Sequence, residues 1–240
     1  MKRILLMICV ALAVNACASD FKRGTAEGDY KYAKHLLDKG SYSKANTFLE
    51  DYGTKHPYSK YAVQAELLRT FAAYKGQQYV LSETLADEFI RRHPRHPDVD
   101  YAQYMLAMSQ YRQMLKPERD QTETYAAIKS FKKLLSSYPE SVYAKEGAHH
   151  LQILYNHLGA HELDVGKFYF DRGRYVAAAN RFQVVLDKYQ TTPSIEEALY
   201  YLAASYAKLG VMNNARDTVK LLRYNYPKSD WSHKAADLLH

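Results

Sequence analysis

A fifteen-residue interval recurs along this chain and constrains its fold more than any other feature. Tyr42 precedes Pro57 by fifteen residues, Tyr79 precedes Pro94, and Met212 precedes Pro227 at the same distance. Counting back from Pro139 reaches Thr124, beside Tyr125; counting on from Tyr175 reaches Gln190, with Pro193 close behind. The register also holds between the endpoints. Three residues in stand Ala45, Ser82, Ala127, Ala178 and Ala215, and four later stand Leu49, Ala86, Phe131, Phe182 and Val219. A turn glycine lies just upstream in four segments (Gly40, Gly76, Gly173, Gly210), and Lys116-Pro117 takes its place in the third. The physical reading is helix, tight turn, helix, stop. Glycine reaches the positive φ that ends a helix. The small residue lets two helices approach, and the proline disfavours helix at the residue before it. Apolar residues recur with helical spacing, as in Leu199, Leu202, Ala203 and Tyr206, and strand alternation is nowhere sustained. Such helix pairs bury their apolar faces only by stacking on neighbours.

The stretch from Ser194 to Pro227 is 34 residues long and contains Ala198-Leu199-Tyr200-Tyr201-Leu202-Ala203-Ala204-Ser205-Tyr206, then Leu209-Gly210, Met212 and Ala215. It resembles one tetratricopeptide repeat. The expected fold is therefore all-α, a tetratricopeptide-repeat superhelix of five helix pairs. The terminal positions are 37, 45, 51 and 37 residues apart, so two units carry extra length. In the third unit it falls in the polar stretch Lys116 to Glu123, read as a loop. In the fourth it falls within Ser141 to Asp171, which lacks proline. At 1.5 Å per residue one helix there would span roughly 46 Å, unless Gly159 bends it.

The N-terminus carries a different signal. Met1-Lys2-Arg3 is followed by eleven apolar residues, Ile4 to Val14, and then Asn15-Ala16-Cys17. A cationic start, a short apolar core and a small residue before the cut describe a secretory signal. Eleven residues are too few to cross a bilayer core, which takes about 20 in a helix. Val14-Asn15-Ala16-Cys17 resembles a bacterial lipobox, with Asn15 at a place usually held by a small or apolar residue. On that reading residues 1–16 are a lipoprotein signal peptide, Cys17 is acylated, and residues 17–25 form a flexible lead. The alternative is an ordinary signal peptide with a chance cysteine. Ala18, rather than aspartate, follows the cysteine; under the enteric sorting rule that points to the outer membrane. One acyl chain anchors only marginally, at about 0.8 kcal/mol per buried methylene, so stable tethering takes two or more.

Other chemistry finds little support. Cys9 leaves with the leader and Cys17 is the acylation site, so no pair remains for a disulfide and stability must come from packing. The formal charge of +7 falls to about +5 once Lys2 and Arg3 are removed. No basic run has the length of a nucleic-acid-binding tail, and export argues against that partner. Among the ten histidines, His150, His157 and His161 share a face of the expected long helix, with His157 and His161 one turn apart. That spacing can chelate a metal, but a polar helix face is the favoured account. The zinc-protease pattern H-E-x-x-H stops at His161-Glu162-Leu163-Asp164-Val165. No nucleophile elbow, phosphate-cradling glycine loop or dinucleotide fingerprint is present. No catalytic residue, metal or cofactor is expected.

An acylated cysteine, five irregular repeats and an over-long helix opening the fourth resemble the BamD (ComL) family of β-barrel assembly lipoproteins. The segments that carry the resemblance are Tyr30 to Pro57, Arg91-Arg92-His93-Pro94 to Tyr104, Ser130-Phe131 to Tyr143, and Tyr169-Phe170-Asp171-Arg172-Gly173 to Arg181. The resemblance implies a non-enzymatic protein lipid-anchored to the periplasmic face of the outer membrane. It implies that the N-terminal repeats, residues 26–139, contact unfolded outer-membrane proteins. The C-terminal repeats, residues 140–240, would bind the last POTRA domain of BamA beside other assembly-complex lipoproteins. Arg181 matches an arginine that contributes to the BamA contact in the family. The substrate side can also be argued physically. A groove receiving an extended segment with an aromatic end should offer aromatic platforms, apolar pockets and cations. Tyr61, Arg69, Tyr74, Tyr104 and Met108 are the candidates, within a larger set that includes Tyr30, Tyr32, Tyr101 and Tyr111. Many tyrosines at helical spacing will pack the core instead. The runner-up function is a pilotin-like repeat lipoprotein for secretin or type IV pilus assembly, expected to have even repeats and no long central helix.

Overall fold

The computed structural model describes residues 21–239, so the signal peptide and Cys17 lie outside the described residues. Every regular element among those residues is helical. Five pairs follow in order: α1 (Ala26–Asp38) with α2 (Tyr42–Glu50) and its continuation α3 (Tyr52–Lys55), then α4 (Ala62–Lys75) with α5 (Tyr79–Arg92). Next come α6 (Val99–Gln113) with α7 (Thr122–Ser137), α8 (Ala144–Asp171) with α9 (Tyr175–Lys188), and α10 (Ile195–Lys208) with α11 (Met212–Asn225). A short α12 (Asp230–Lys234) and a 3-10 turn (Ala235–Leu239) close the array. Each second helix packs on the first helix of the next pair. The first helices also touch one another, α1 with α4, α4 with α6 and α8 with α10. The architecture is the expected tetratricopeptide-like stack.

Burial follows the sequence register. Ala45, Ser82, Ala127, Ala178 and Ala215 are all fully buried, and so set how closely the helices approach. Leu49, Ala86, Phe131, Phe182 and Val219 are buried one turn on. A further core position lies three residues beyond those: Tyr52, Phe89, Leu134, Val185 and Leu222 are all buried. Phenylalanines buried like these typically cost about 3–5 kcal/mol to truncate. Ser82 is the one hydroxyl in the small-residue row. It donates to the Thr70 carbonyl at 3.1 Å and accepts from Ser109 Oγ at 2.9 Å, so its burial leaves no unmet polar group.

Helix ends obey local rules. His56, His93, Tyr138, Tyr189 and Tyr226 cap the second helices with φ between −128° and −135°. Four of them precede a proline, which excludes helical ψ from the residue before it; Tyr189 takes the same conformation before Gln190. Ser59, His96, Ser141 and Ser229 each then accept the backbone N–H two residues on, at 3.1–3.2 Å, and start the next first helix.

Gly40, Gly173 and Gly210 take positive φ of 67°, 69° and 74° at the turn inside a pair. Gly76 does not. Its φ is −77°, and Gln77 carries the left-handed conformation at 61°. Glycine stands two residues before the second helix in the other three units but three before Tyr79, one place too early for the turn. The loop of the third unit runs from Met114 to Gln121, and α7 begins at Thr122, two residues before the residue counted back from Pro139. Gln121 is buried and organises this loop, its Nε2 donating to the carbonyls of Lys116, Pro117 and Arg119 at 3.0–3.2 Å.

The long helix is real. Helix α8 has 28 residues, about 42 Å at 1.5 Å per residue. Gly159 does not end it; a Cβ there would stand 2.7 Å from Thr192 Oγ1, so the glycine admits the α9–α10 turn. At the other end of the chain, the part of the expected flexible lead that is described is tied down. Phe21 packs its ring 5.6 Å from Tyr32, and Arg23 bonds Asp29 at 3.0 Å.

Two substitutions test these readings. A Cβ at Gly166 would lie 2.4 Å from Phe182 Cε1; Gly166→Ala should therefore lose about 1–3 kcal/mol in denaturant unfolding, the usual cost of overpacking. Gln77→Gly should instead gain up to about 1 kcal/mol, because a left-handed non-glycine residue is strained by roughly that amount.

Candidate functional site

The first helices bring their aromatic residues together as rungs between units. Tyr30 of α1 stacks on Tyr61, at the start of α4, with ring centroids 4.8 Å apart. Tyr104 of α6 stacks on Tyr143, at the start of α8, also at 4.8 Å, and Tyr101 meets the same ring at 5.4 Å. Tyr200 of α10 meets Trp231 of α12 at 5.1 Å. Tyr61, Tyr143 and Trp231 each stand four residues after a terminal proline. That spacing was available in the sequence and would have marked these rungs. Burial pushes the phenols of Tyr101 and Tyr104 above their ordinary value, so both remain protonated donors at neutral pH.

The five substrate-side candidates do not form one cluster. Tyr61 and Tyr104 are half-buried rungs. Tyr74 is half-buried too; its ring meets Tyr79 at 5.6 Å and its hydroxyl accepts from Arg112 Nε at 3.0 Å. Arg69 turns away from the tyrosines, toward the second helices. It bonds Glu50 at 2.7 Å and Asn46 at 3.2 Å, and lines the groove between α2 and α5. Met108 is 6 % exposed and belongs to the core. The reason is its helix. Helix α6 is sandwiched between α5 and α7, so nine of its residues are buried around its circumference and no free face remains for Met108.

Arg181 lies on α9 and reaches back to α8, where its Nη1 donates to Glu162 Oε2 at 3.0 Å. The Glu162 side chain is 8 % exposed while that of Arg181 is 43 % exposed. A buried carboxylate without a partner costs several kcal/mol, so this guanidinium has a structural duty before any other. More than a third of it still faces solvent. On the final turn of α8, Phe168 is half exposed and Arg172 sits 3.5 Å over its ring.

The helical histidines meet protein groups. The His161 ring contacts the Pro117 carbonyl of the α6–α7 loop. His157 is held down by the same loop, and its Nε2 has no partner among the described residues. His150 packs between Tyr111 at 4.6 Å and Phe131 at 5.7 Å. No group of three His, Cys, Asp or Glu among the described residues is placed to hold a metal ion. Burial lowers the affinity of His150 and His157 for a proton, against the opposing pull of Glu146 on His150 and of the Leu115 carbonyl on His157. The unfolded chain therefore protonates first. Stability is full above the unfolded value near 6.5 and is lost as pH falls below it. The melting temperature should drop between pH 7.5 and 5.5, and the drop should shrink in the His150→Gln/His157→Gln double variant.

Comparison with known proteins bears on what these surfaces serve. A family model described as YfiO, outer membrane lipoprotein, matches residues 23–222. A protein of Rickettsia prowazekii named outer membrane protein assembly factor BamD is 35 % identical, over 82 % of this chain and 78 % of its own length. The Neisseria meningitidis protein of the same name is 32 % identical over 95 % and 93 % of the two chains. That of Caulobacter vibrioides is 30 % identical over 97 % and 78 %.

Proposed function

The chain belongs to the YfiO family of outer membrane lipoproteins, and from that premise we propose that it is a lipid-tethered adaptor of outer-membrane β-barrel assembly, not an enzyme. The observation that carries this reading is similarity to outer membrane protein assembly factors along nearly the whole chain. Acylated Cys17 would hold the array at the periplasmic face of the outer membrane. No helix among the described residues is long and apolar enough to cross a membrane. Residues 26–139 would hold unfolded outer-membrane proteins, and residues 140–240 would bind BamA and neighbouring lipoproteins of the complex. Tethering then does the physical work, since it raises the effective concentration of each binding surface near its partner. The uneven units and the 28-residue α8 speak against the pilotin-like alternative, for which even repeats were expected.

Two features support the division of labour. Tyr61, Tyr74 and Tyr104 spend part of each ring on packing and stay half-buried, which leaves a ring edge for an extended chain; this divided use is what tyrosine offers at binding surfaces. Arg181 keeps more than a third of its side chain exposed beyond its bond to Glu162, and arginine is enriched at interface centres.

Affinity purification from detergent-solubilised outer membranes should recover a barrel protein with periplasmic POTRA domains; recovery of a secretin would reverse the reading. Arg181→Ala should reduce that recovery at least tenfold, while Glu162→Gln, which spares the guanidinium, should leave it near normal. Equal loss in both would mean that Arg181 acts only by holding α8 to α9. Photo-crosslinkers at Tyr61, Tyr74 and Tyr104 should capture nascent outer-membrane protein. Failure at all three in a folded protein would remove the substrate assignment.

A further inference from the structure

The second helices stand apart, leaving grooves on the side opposite the tyrosine rungs. Each groove is walled by two second helices and floored by the first helix between them. The groove between α2 and α5 is closed by its own ion pairs, Arg69 with Glu50, and Arg92 and His93 with Glu66. Between α7 and α9 the place is taken by Tyr155 and Tyr189, 6.3 Å apart, with Lys132 over the Tyr155 ring. The groove between α5 and α7 is different. It has a volume of about 720 Å³, and two buried amide oxygens of its floor have no donor among the described residues.

Its floor is α6. Gln103 and Gln110 are both more than nine-tenths buried, and both line the groove. Their amide nitrogens are committed: Gln103 Nε2 donates to the Ser130 carbonyl at 3.1 Å, and Gln110 Nε2 to Glu83 at 3.0 Å. Both partners are acceptors, so the amides cannot be flipped. Each Oε1 is consequently turned the other way, and neither has a donor among the described residues. An unmet buried acceptor is costly, and buried polar groups are nearly always paired. The walls carry opposite charge. Helix α5 supplies Glu83, which also accepts from Gln113, and an Asp87–Arg91 pair, while α7 supplies Lys129 and Lys133, exposed and paired with no acid among the described residues.

We propose that the α5–α7 groove is a second polypeptide-docking site, taking an extended segment of a partner protein through its main chain. A peptide backbone is the ligand chemistry that offers what is missing. Its N–H groups supply donors for the two glutamine oxygens once the amides, now closed to solvent, turn about their soft terminal torsions, and its carbonyls accept from the Nε2 groups that this turning releases. Its carbonyls and any acidic side chain meet the Lys129–Lys133 wall, and a basic side chain meets Glu83. An anion alone would satisfy the lysines and leave the floor unpaired. Because this groove lies away from the tyrosine rungs, the array could hold two extended chains at once.

The test titrates the folded mature chain with fluorescent acetyl-Thr-Glu-Thr-Val-Thr-Lys-Thr-amide and reads anisotropy. Saturable binding is expected, weakened at least fivefold by Lys129→Glu/Lys133→Glu and by Gln110→Met. The lysine pair is on the surface, so its melting temperature should match wild type and exclude misfolding as the cause. A peptide N-methylated at alternate main-chain nitrogens should not bind. Absence of saturable binding, equal affinity for the N-methylated peptide, or indifference to both variants would each overturn the proposal. None of these outcomes touches recovery of the barrel protein, which reads different surfaces.

Discussion

Two paired helices leave an apolar stripe on each flank, and no arrangement of the pair alone can cover both. Everything else in this molecule follows from meeting that requirement in one dimension, by laying the next pair alongside. Close approach is possible because the contact row holds alanine or serine in all five units, each fully buried. The larger residues one turn on, Phe131 and Phe182 among them, then fill the space the small row opens. Where serine replaces alanine, the hydroxyl is passed along a buried chain from Ser109 through Ser82 to the Thr70 carbonyl. The array ends because α12 and its 3-10 turn cover the last stripe, with Trp231 resting on Tyr200 and Tyr201.

The second helices were legible in the sequence because their constraints are strict and local. A cap before proline, a small residue at a crossing and a large one a turn later each demand a particular side chain, and the repetition exposed them. The first helices were harder. They touch neighbours on several sides, so their burial has no single stripe to read, and Met108 passed for a surface residue on a helix with nine buried positions. Gln77 escaped because a left-handed turn tolerates a polar residue at modest strain, whereas Gly76 beside it looked like the obvious occupant. Of the candidate site, the tyrosines of the rungs were visible but their partners were not. Tyr143 and Trp231 are distant in sequence from Tyr104 and Tyr200 and meet them only once the units stack.

On the proposed function, architecture and binding draw on the same side chains. A ring that glues one unit to the next, or a guanidinium that neutralises Glu162, cannot be retuned for a partner without loosening the stack. The surfaces therefore inherit their geometry from the repeat spacing: one rung per unit boundary on one side, one groove per unit on the other. Such a layout suits extended polypeptides, which also present their groups at regular intervals.

Helix α8 reaches across this regularity. Its first turns press on α7 at Gly147, its middle admits Thr192, and its last turns lie on Phe182 of α9. One continuous buried cluster runs from Ala107 of α6 to Ala235, whereas the first two units rest on four small separate ones. An array of this kind ordinarily frays unit by unit from either tip. With a common axle through its rear half, the chain has unequal ends. Amide protons from α7 onward should therefore share a single cooperative opening, while those of the two leading units should exchange through easier, partial excursions. The leading end is thus the pliant one, able to yield while the far end keeps its shape.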